Sequence, residues 1–286
     1  MTATYNDQDE TTRNALRLSR DAVIQSLGPR LTVYPSNEEM IEAFAKAIFD
    51  DYVATLDAGR THFVAIVPVG PVGQYPLLAK LCQGAGVSLR KMTLIVMDEY
   101  LTDEGAWIDD SDPLSFRGHI ERNLLANLAP DDQPEVIIPD PRNPKSVQKR
   151  IEAFGGVDIT YAGVGITGHL AFNEPMEGVT DAAYFATLPT RVVPLLRETR
   201  LINSVTAARG NVARIPRLAV TVGMREILSA RKLHLFMNRS WQSAAIRRLA
   251  FGPVTPAFPA SLVQNHADWQ ISAVSHVLET PEPELA

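Results

Sequence analysis

Residues 63–73 read Phe63-Val64-Ala65-Ile66-Val67-Pro68-Val69-Gly70-Pro71-Val72-Gly73, and this stretch decides the fold. Five consecutive apolar residues followed by a turn rich in glycine and proline predict a fully buried strand. A helical pattern through Leu77, Leu78 and Leu81 comes next, and then a second apolar strand over residues 93–97. A strand, a helix and another strand in this order predict parallel pairing with a crossover helix, and hence an α/β fold.

The same alternation continues on both sides of this unit. Upstream, a strand at residues 31–34 precedes the capping box Ser36-Asn37-Glu38-Glu39, which predicts a helix from about Asn37. Downstream, the pattern predicts helices at about 113–128 and 144–154, and strands at 135–138, 158–162, 217–222, 232–237 and 269–274. We therefore predict a single-domain, three-layer α/β/α fold around a mostly parallel, Rossmann-like sheet.

The expected domain covers residues 31–279. Residues 1–30, closed by Gly28-Pro29, predict a helical N-terminal extension, and the Pro/Glu-rich residues 280–286 predict a mobile tail. The polar, acidic N-terminus does not resemble a signal peptide. No apolar run approaches the roughly 20 residues that span a bilayer. These features predict a cytoplasmic protein that does not bind membranes.

Composition excludes several classes of function. The chain has 286 residues, 45% of them apolar, with 27 Lys and Arg against 33 Asp and Glu, a formal net charge of −6. The absence of a basic stripe argues against nucleic-acid binding. Cys82 is the single cysteine, which excludes a disulfide framework or a multi-cysteine zinc site, and no histidine pair has metal-ligand spacing. No G-x-S-x-G nucleophile elbow occurs either.

Ligands of open α/β sheets bind at the carboxyl ends of the strands, and this rule singles out three loops. The first contains Gly70, Val72 and Gly73, between a buried strand and a helix, where backbone N–H groups can contact an anion. Pro71 removes one such donor, and the loop has no P-loop lysine. The alternatives are a ligand-contacting loop and a merely tight turn.

The second loop, Met97-Asp98-Glu99-Tyr100, places two adjacent carboxylates directly after an apolar strand. Successive side chains of an extended segment point to opposite faces, so Asp98 and Glu99 do not project together. This pattern indicates that one carboxylate is catalytic and the other structural. Asp98 is our candidate for the catalytic role, and we treat Glu99 as a candidate substrate contact.

The third loop runs from Gly163 to Pro175 and reads Gly-Val-Gly-Ile-Thr-Gly-His-Leu-Ala-Phe-Asn-Glu-Pro. Its glycines match G-x-G-x-x-G, but Pro175 stops the helix that a dinucleotide fingerprint requires, so nicotinamide and flavin are unfavoured. His169 and Glu174 instead offer an imidazole and a carboxylate suited to proton transfer. The alternative is a histidine with a structural role only, which forms hydrogen bonds with the backbone.

Met97-Asp98-Glu99-Tyr100 together with the Gly163–Pro175 loop resembles the glucosamine-6-phosphate deaminase (isomerase) family, which shares its fold with 6-phosphogluconolactonases. The similarity extends from about Leu31 to about Val274 and is most specific in Gly-His-x-Ala-Phe-Asn-Glu-Pro. The resemblance implies a cofactor-free isomerisation of an amino-sugar phosphate with loss of ammonia, in a homo-oligomer. It implies that Asp98 moves a proton between carbons 2 and 1, while His169, supported by Glu174, opens the sugar ring.

The resemblance also locates substrate contacts and departures from the family pattern. Gly165 and Gly168 belong to the glycine-rich loop, and Arg191 matches an arginine that the family places near the sugar. Thr167 stands where the family has an aspartate, and its hydroxyl can orient the imidazole without charging it. Cationic phosphate anchors of the family align with Val205 and Trp241, although Arg239 lies close to the second.

We therefore predict a sugar-metabolising isomerase/deaminase that acts by acid/base chemistry and whose substrate differs in its phosphate contacts. Two alternatives stay open at this point. One is a catalytically weak sugar-binding or regulatory protein, for which Thr167 is the reason, and the other is a sugar lactonase.

Overall fold

The computed structural model describes residues 9–281, and the bounds below refer to that part of the chain. The strands are β1 Leu31–Tyr34, β2 Phe63–Val67, β3 Met92–Val96, β4 Asp98–Leu101, β5 Glu135–Ile137, β6 Ile159–Ala162, β7 Arg191–Pro194, β8 Leu218–Thr221, β9 Lys232–Met237 and β10 Trp269–Val274. The α-helices are α1 Glu10–Leu16, α2 Arg20–Leu27, α3 Asn37–Asp57, α4 Gln74–Ala85, α5 Phe116–Asn123, α6 Lys145–Ala153, α7 Ala182–Ala186, α8 Arg197–Ala207, α9 Met224–Leu228 and α10 Gln242–Phe251.

A parallel sheet forms the centre of the protein. Its strand order is β1-β10-β9-β6-β2-β3-β5, and every neighbouring pair in it is parallel. All five residues of β2 and all five of β3 are buried. Apolar clusters cover both faces of the sheet, one containing Ile66 and Leu235 and the other containing Phe44 and Ala65. The predicted three-layer α/β/α fold is confirmed.

A second, three-stranded antiparallel sheet corrects the sequence-based assignment of residues 97–100 to a loop. Its order is β4-β8-β7, and Asp98 pairs with Thr221. Met97 links the two sheets because its N–H donates to Val67 and its carbonyl accepts from Val222. A four-residue strand with two carboxylates carries little local strand signal, so its pairing depends on distant residues.

Several helix boundaries are set by capping side chains. Ser36 accepts from the N–H of Glu39 at the start of α3, as the capping box predicts. Ser115 caps α5 in the same way, so α5 begins three residues later than the predicted start at Pro113 and is shorter than predicted. No described helix is long and apolar enough to cross a membrane.

The N-terminal helices pack onto the sheet domain through buried residues of α2, among them Val23 and Leu27. Arg247 of α10 is fully buried and donates to the carbonyls of Leu18 and Leu278, which ties both ends of the described chain together. The predicted polar start of the chain and most of the predicted tail, residues 1–8 and 282–286, lie outside the described residues.

Candidate active site

A cleft of about 360 Å³ opens at the carboxyl ends of β2, β3, β6 and β9, which are neighbours in the parallel sheet. Each of the three loops singled out from the sequence contributes to it, through Gly70 and Val72, Asp98, and Gly165 and His169. The turn after β9 and residues of α5 and α8 complete the lining. The strand-end rule therefore locates the cleft correctly.

Asp98 lies on the wall of the cleft, at the first position of β4, with 6% of its surface exposed. No described residue donates a hydrogen bond to its carboxylate. Burial, reinforced by the neighbouring charge of Glu99, raises the pKa of Asp98 well above its usual value. A carboxylate that is buried, unpaired and faces a cleft is suited to accept a proton from a bound ligand.

Glu99 points away from the cleft and is fully buried, so its assignment as a substrate contact needs correction. Its carboxylate accepts from Ser115 Oγ at 2.9 Å and from the backbone N–H groups of Phe116 at 3.0 Å and Arg117 at 2.7 Å. These donors form the first turn of α5, where a negative charge is favourable. We assign Glu99 the structural role of fixing α5.

His169 is the centre of a small group of polar side chains. Its Nδ1 atom lies 2.9 Å from Oγ1 of Thr167 and 3.7 Å from Oε1 of Glu174. Burial lowers the pKa of His169 to about 4, so the imidazole is neutral near pH 7 and its contact with Glu174 is not an ion pair there. Nδ1 thus has its partners behind the ring, whereas Nε2 has none among the described residues.

Glu174 and Thr167 do not line the cleft but support His169 from the other side of the ring. The second oxygen of Glu174 accepts from the N–H of Leu196 at 2.6 Å, at the start of α8. Burial raises the pKa of the Glu174 carboxyl, against the lowering effects of the Thr199 hydroxyl and the Leu196 N–H. The carboxylate is therefore fixed beside the imidazole by the backbone of another helix.

Two glycines give the histidine loop its shape. A Cβ at Gly165 would lie 1.9 Å from Nε2 of His169, and a Cβ at Gly168 would lie 2.3 Å from the ring of Phe258. Gly168 also has φ = +79°, which disfavours side chains there. Gly165 lines the cleft, while Gly168, predicted as a substrate contact, packs behind it. No helix follows β6 directly, in agreement with the rejection of the dinucleotide fingerprint.

The first loop reaches the cleft only in part. Gly70 and Val72 line it, and the Val72 side chain is 55% exposed. Gly73 lies at the start of α4, where its φ of +119° suits glycine, and does not line the cleft. The predicted contact of the loop with a ligand therefore comes from Gly70 and Val72.

Of the residues predicted at or near the cationic contacts, some line the cleft and others do not. Arg191 donates to Oδ1 of Asn173 at 2.8 Å and does not line the cleft, so it holds the histidine loop instead. Val205 is 67% exposed on α8 and lies outside the lining too. Trp241 and Arg239 both line the cleft, and Arg239 is the one Lys or Arg side chain among the described lining residues.

Sequence reasoning missed several residues of the cleft. Asn203 donates to the Tyr100 hydroxyl at 2.9 Å, and both line the cleft. Gln242 accepts at 2.8 Å from the N–H of Arg239 and donates at 2.8 Å to Val164, which fixes the turn after β9 against the histidine loop. His119 of α5, Thr206 of α8 and Asn238 after β9 also line the cleft and were overlooked. Tyr100 belongs to the Met97-Asp98-Glu99-Tyr100 stretch and Asn203 to an Asn-Ser pair within the family resemblance, whereas Gln242 and His119 belong to no motif.

The described residues contain no cluster of three or more His, Cys, Asp or Glu side chains that could hold a metal ion. The polar side chains of the cleft are a carboxylate, two imidazoles, a guanidinium, amides and hydroxyls, and the carboxylate and the imidazoles are suited to proton transfer. The arrangement can move protons between neighbouring atoms of a bound ligand with its own side chains.

Comparison with known proteins gives the family. No family model matches the chain. Glucosamine-6-phosphate deaminase 2 of Bacillus subtilis is 32% identical over 205 residues, which cover 68% of this chain and 76% of that protein. The structure of a monomeric glucosamine-6-phosphate deaminase has a TM-score of 0.69 at 23% identity, covering 87% and 98% of the two chains.

The 6-phosphogluconolactonase of Trypanosoma brucei has a TM-score of 0.62 at 12% identity, covering 89% of this chain and 99% of that one, which indicates a shared fold. Because the Bacillus subtilis relative exceeds 30% identity over most of its length, the evidence for the family comes from sequence. The chain belongs to the glucosamine-6-phosphate deaminase family.

Proposed function

We propose that the protein is an acid/base isomerase and deaminase that converts an amino sugar into a ketose and ammonia. The observation that carries this proposal is the Asp98 carboxylate, which faces the cleft without a donor among the described residues, in the same lining as the free Nε2 of His169. The two groups supply the proton transfers of ring opening and of aldose–ketose isomerisation. The family membership supports the same reading.

Ring opening is assigned to His169. With its pKa at about 4 the imidazole is neutral, and Nε2 is a lone-pair acceptor for the proton of the C1 hydroxyl. The same proton is then delivered to the ring oxygen as the C1–O5 bond breaks. Glu174, at 3.7 Å from Nδ1, stabilises the positive charge that the ring carries during this transfer.

Isomerisation is assigned to Asp98. Its carboxylate removes the proton from C2 of the open-chain sugar, and the carboxyl group returns a proton to C1. As the proton reaches C1, the C1 oxygen gains a proton and the nitrogen on C2 loses one, which gives a C1 hydroxyl and a C2 imine. The imine takes up one water molecule and releases ammonia, so an amino aldose and water give a ketose and ammonia. The raised pKa of Asp98 makes its carboxylate a stronger base than an exposed aspartate, which favours removal of a carbon-bound proton.

The substrate class is an amino sugar, and Arg239 is the cationic side chain available to a phosphate group on it. Arg239 is exposed and its backbone is held by Gln242, so the guanidinium can reach a ligand in the cleft. The cleft therefore contributes fewer charge-assisted contacts than a site with several cations would. A cytoplasmic location and a homo-oligomer remain our predictions, and one solved relative is a monomer.

The test supplies the purified protein with amino-sugar phosphates and unphosphorylated amino sugars, and measures ammonia and ketose. We expect equal amounts of both products from at least one sugar. Asp98→Asn should lower kcat by about 10²–10⁴ because the base is lost. Asp103→Asn, which changes an exposed carboxylate just after β4, is the matched control and should leave kcat unchanged.

Three outcomes would contradict the proposal. Equal activity of wild type and Asp98→Asn would remove the mechanism. Hydrolysis of a sugar lactone without ammonia would identify a lactonase. Thermal stabilisation by sugars without turnover of any of them would identify a sugar-binding protein.

A further inference from the structure

His119 differs from the other histidines in its lack of a hydrogen-bond partner. Neither of its ring nitrogens bonds to any described residue, and Nε2 is fully buried. The ring of each of the other five histidines has a hydrogen-bond partner: Thr93 for His62, Thr167 for His169, Ser272 and Gln270 for His234, Ala230 for His266 and Asn238 for His276. His119 lines the cleft, as Asp98 and His169 do.

The position of His119 is fixed by its surroundings. It lies on α5, whose first turn is held by the buried Glu99 and Ser115. Its ring packs edge-on against Tyr75, with centroids 6.1 Å apart. The Tyr75 hydroxyl already donates to the Pro68 carbonyl, so it gives no proton to the imidazole. The ring is therefore held in place by packing, not by hydrogen bonds.

The imidazole of His119 is neutral near pH 7. Burial is the main cause that lowers its pKa, and the charge of Arg122 on the same helix adds to it. A neutral imidazole has one donor and one acceptor nitrogen. A sugar hydroxyl can both donate and accept, so it matches this pair of atoms, whereas an anion matches a cation such as Arg239 better.

A buried polar atom without a partner destabilises a folded protein, and native structures keep few of them. Nδ1 of His119 also lacks a partner but is not fully buried, so it is the ring nitrogen that a ligand in the cleft can reach, and a ligand hydroxyl would supply its missing partner. We infer that His119 is a substrate-binding residue that forms a hydrogen bond with a hydroxyl group of the sugar. This inference rests on the proposed function, because it adds a specificity contact to the same cleft.

The experiment compares His119→Phe with wild type in steady-state kinetics and in thermal unfolding. Phenylalanine keeps an aromatic ring on α5 but removes both nitrogens. We expect KM to rise about tenfold, the effect of one hydrogen bond of ordinary strength, with kcat changed much less. The Tm should stay the same or rise, because the unpartnered nitrogen is gone. His119→Gln, which restores a donor and an acceptor, should recover part of the lost affinity.

His62→Phe is the matched control. His62 also packs against an aromatic ring, that of Phe154, but its Nε2 is 2.7 Å from the Thr93 hydroxyl and it does not line the cleft. The control should lower Tm and leave KM unchanged, the reverse of the effect at His119. A KM of His119→Phe within twofold of wild type, or a fall in Tm like that of the control, would overturn the inference.

The two proposals fail in distinguishable ways. If sugars stabilise wild type without ammonia release, the proposed function is wrong, and the Kd from thermal shifts then replaces KM in the comparison. A tenfold higher Kd for His119→Phe would still support the inference, and an unchanged Kd would overturn it. If no sugar binds or reacts, both proposals are wrong.

Discussion

The hydroxyl oxygen of Thr167 lies 2.9 Å from Nδ1 of His169, on the side of the imidazole opposite its free nitrogen. A hydroxyl group fixes the orientation of the ring but brings no charge to it. Burial is therefore left as the dominant influence and lowers the pKa of His169 to about 4. Burial, with an uncharged neighbour at Nδ1, therefore keeps the imidazole neutral, which is the form that accepts a proton.

Thr167→Asp should move the pH dependence of kcat. A carboxylate next to Nδ1 favours the imidazolium, so we expect the pKa of His169 to rise from about 4 to about 5–7. The neutral base is then lost at higher pH, and kcat should fall earlier on acidification than in wild type. The measurement is the pH profile of kcat between about pH 5 and pH 8, the range in which histidine side chains titrate.

Thr167→Asn is the control for this change, because asparagine has the size of aspartate without its charge. Protonation of Asp98 affects both variants alike, so the difference between their profiles reports on His169. Superimposable profiles of the two variants would show that the neighbour of Nδ1 does not set the charge of the imidazole.

Glu99→Gln should destabilise the protein while leaving its chemistry intact. The amide nitrogen replaces one oxygen that accepts from two donors, either Ser115 and Arg117 or Tyr100 and Phe116. Leaving such donors without an acceptor costs about 2 kcal/mol of unfolding free energy. Urea denaturation measures this loss. The kcat of the folded fraction should change by less than about threefold, because Glu99 does not line the cleft and burial, not the charge of Glu99, is the larger cause of the raised pKa of Asp98.

Glu121→Gln makes the same substitution on an exposed position of α5 and should change stability by less than about 0.5 kcal/mol. If Glu99→Gln is as stable as this control but loses activity as Asp98→Asn does, the carboxylate has a catalytic role and the structural assignment is wrong.

The contrast between Asp98 and Glu99 shows what sequence can predict about this site. Alternation along an extended segment separates the two side chains, and the strand-end rule brings one of them to the ligand. Which of the two faces the cleft depends on β4 pairing with β8, as in the register of Asp98 with Thr221. These two strands are far apart in the chain, so no local sequence pattern predicts their pairing.

The dependence on tertiary contacts also explains why the cationic contacts could not be predicted from the sequence. Arg191 was expected near the sugar, but its guanidinium bonds to Asn173, a contact that only the packed structure defines. His119 lies in a helix without a motif, and its significance comes from the partners it lacks. Strand and helix periodicity in the sequence was enough to predict the fold. The direction of the side chains within the site is determined by tertiary contacts, which the sequence pattern does not show.

Gly165→Ala should impair catalysis through His169. The added Cβ would lie 1.9 Å from Nε2, so the imidazole must move out of its position. Displacing a catalytic group by about 1 Å costs about 100-fold in rate, and we expect kcat to fall by that order. Steady-state ammonia release measures it, with circular dichroism to confirm that the variant is folded.

Gly163→Ala is the matched control within the same loop. Its Cβ would meet the Gly70 carbonyl oxygen at 3.4 Å, an ordinary contact, and neither glycine has a positive φ. The control should keep most of the wild-type kcat. Equal losses in both variants would indicate general damage to the loop instead of displacement of His169.

Arg239→Gln should separate phosphorylated from unphosphorylated sugars. Arg239 is the one Lys or Arg side chain among the described residues that line the cleft, so it supplies the charge-assisted contact to a phosphate. We expect KM for an amino-sugar phosphate to rise about tenfold, and KM for the corresponding neutral sugar to change by less than twofold. Because Arg239 contacts no reacting atom of the sugar, kcat should stay close to wild type.

Arg142→Gln, at an exposed arginine outside the cleft, is the control and should change neither KM value. A selective loss for the phosphorylated sugar would mean that one arginine discriminates the two substrates, while equal losses for both sugars would show that Arg239 shapes the cleft and does not bind phosphate.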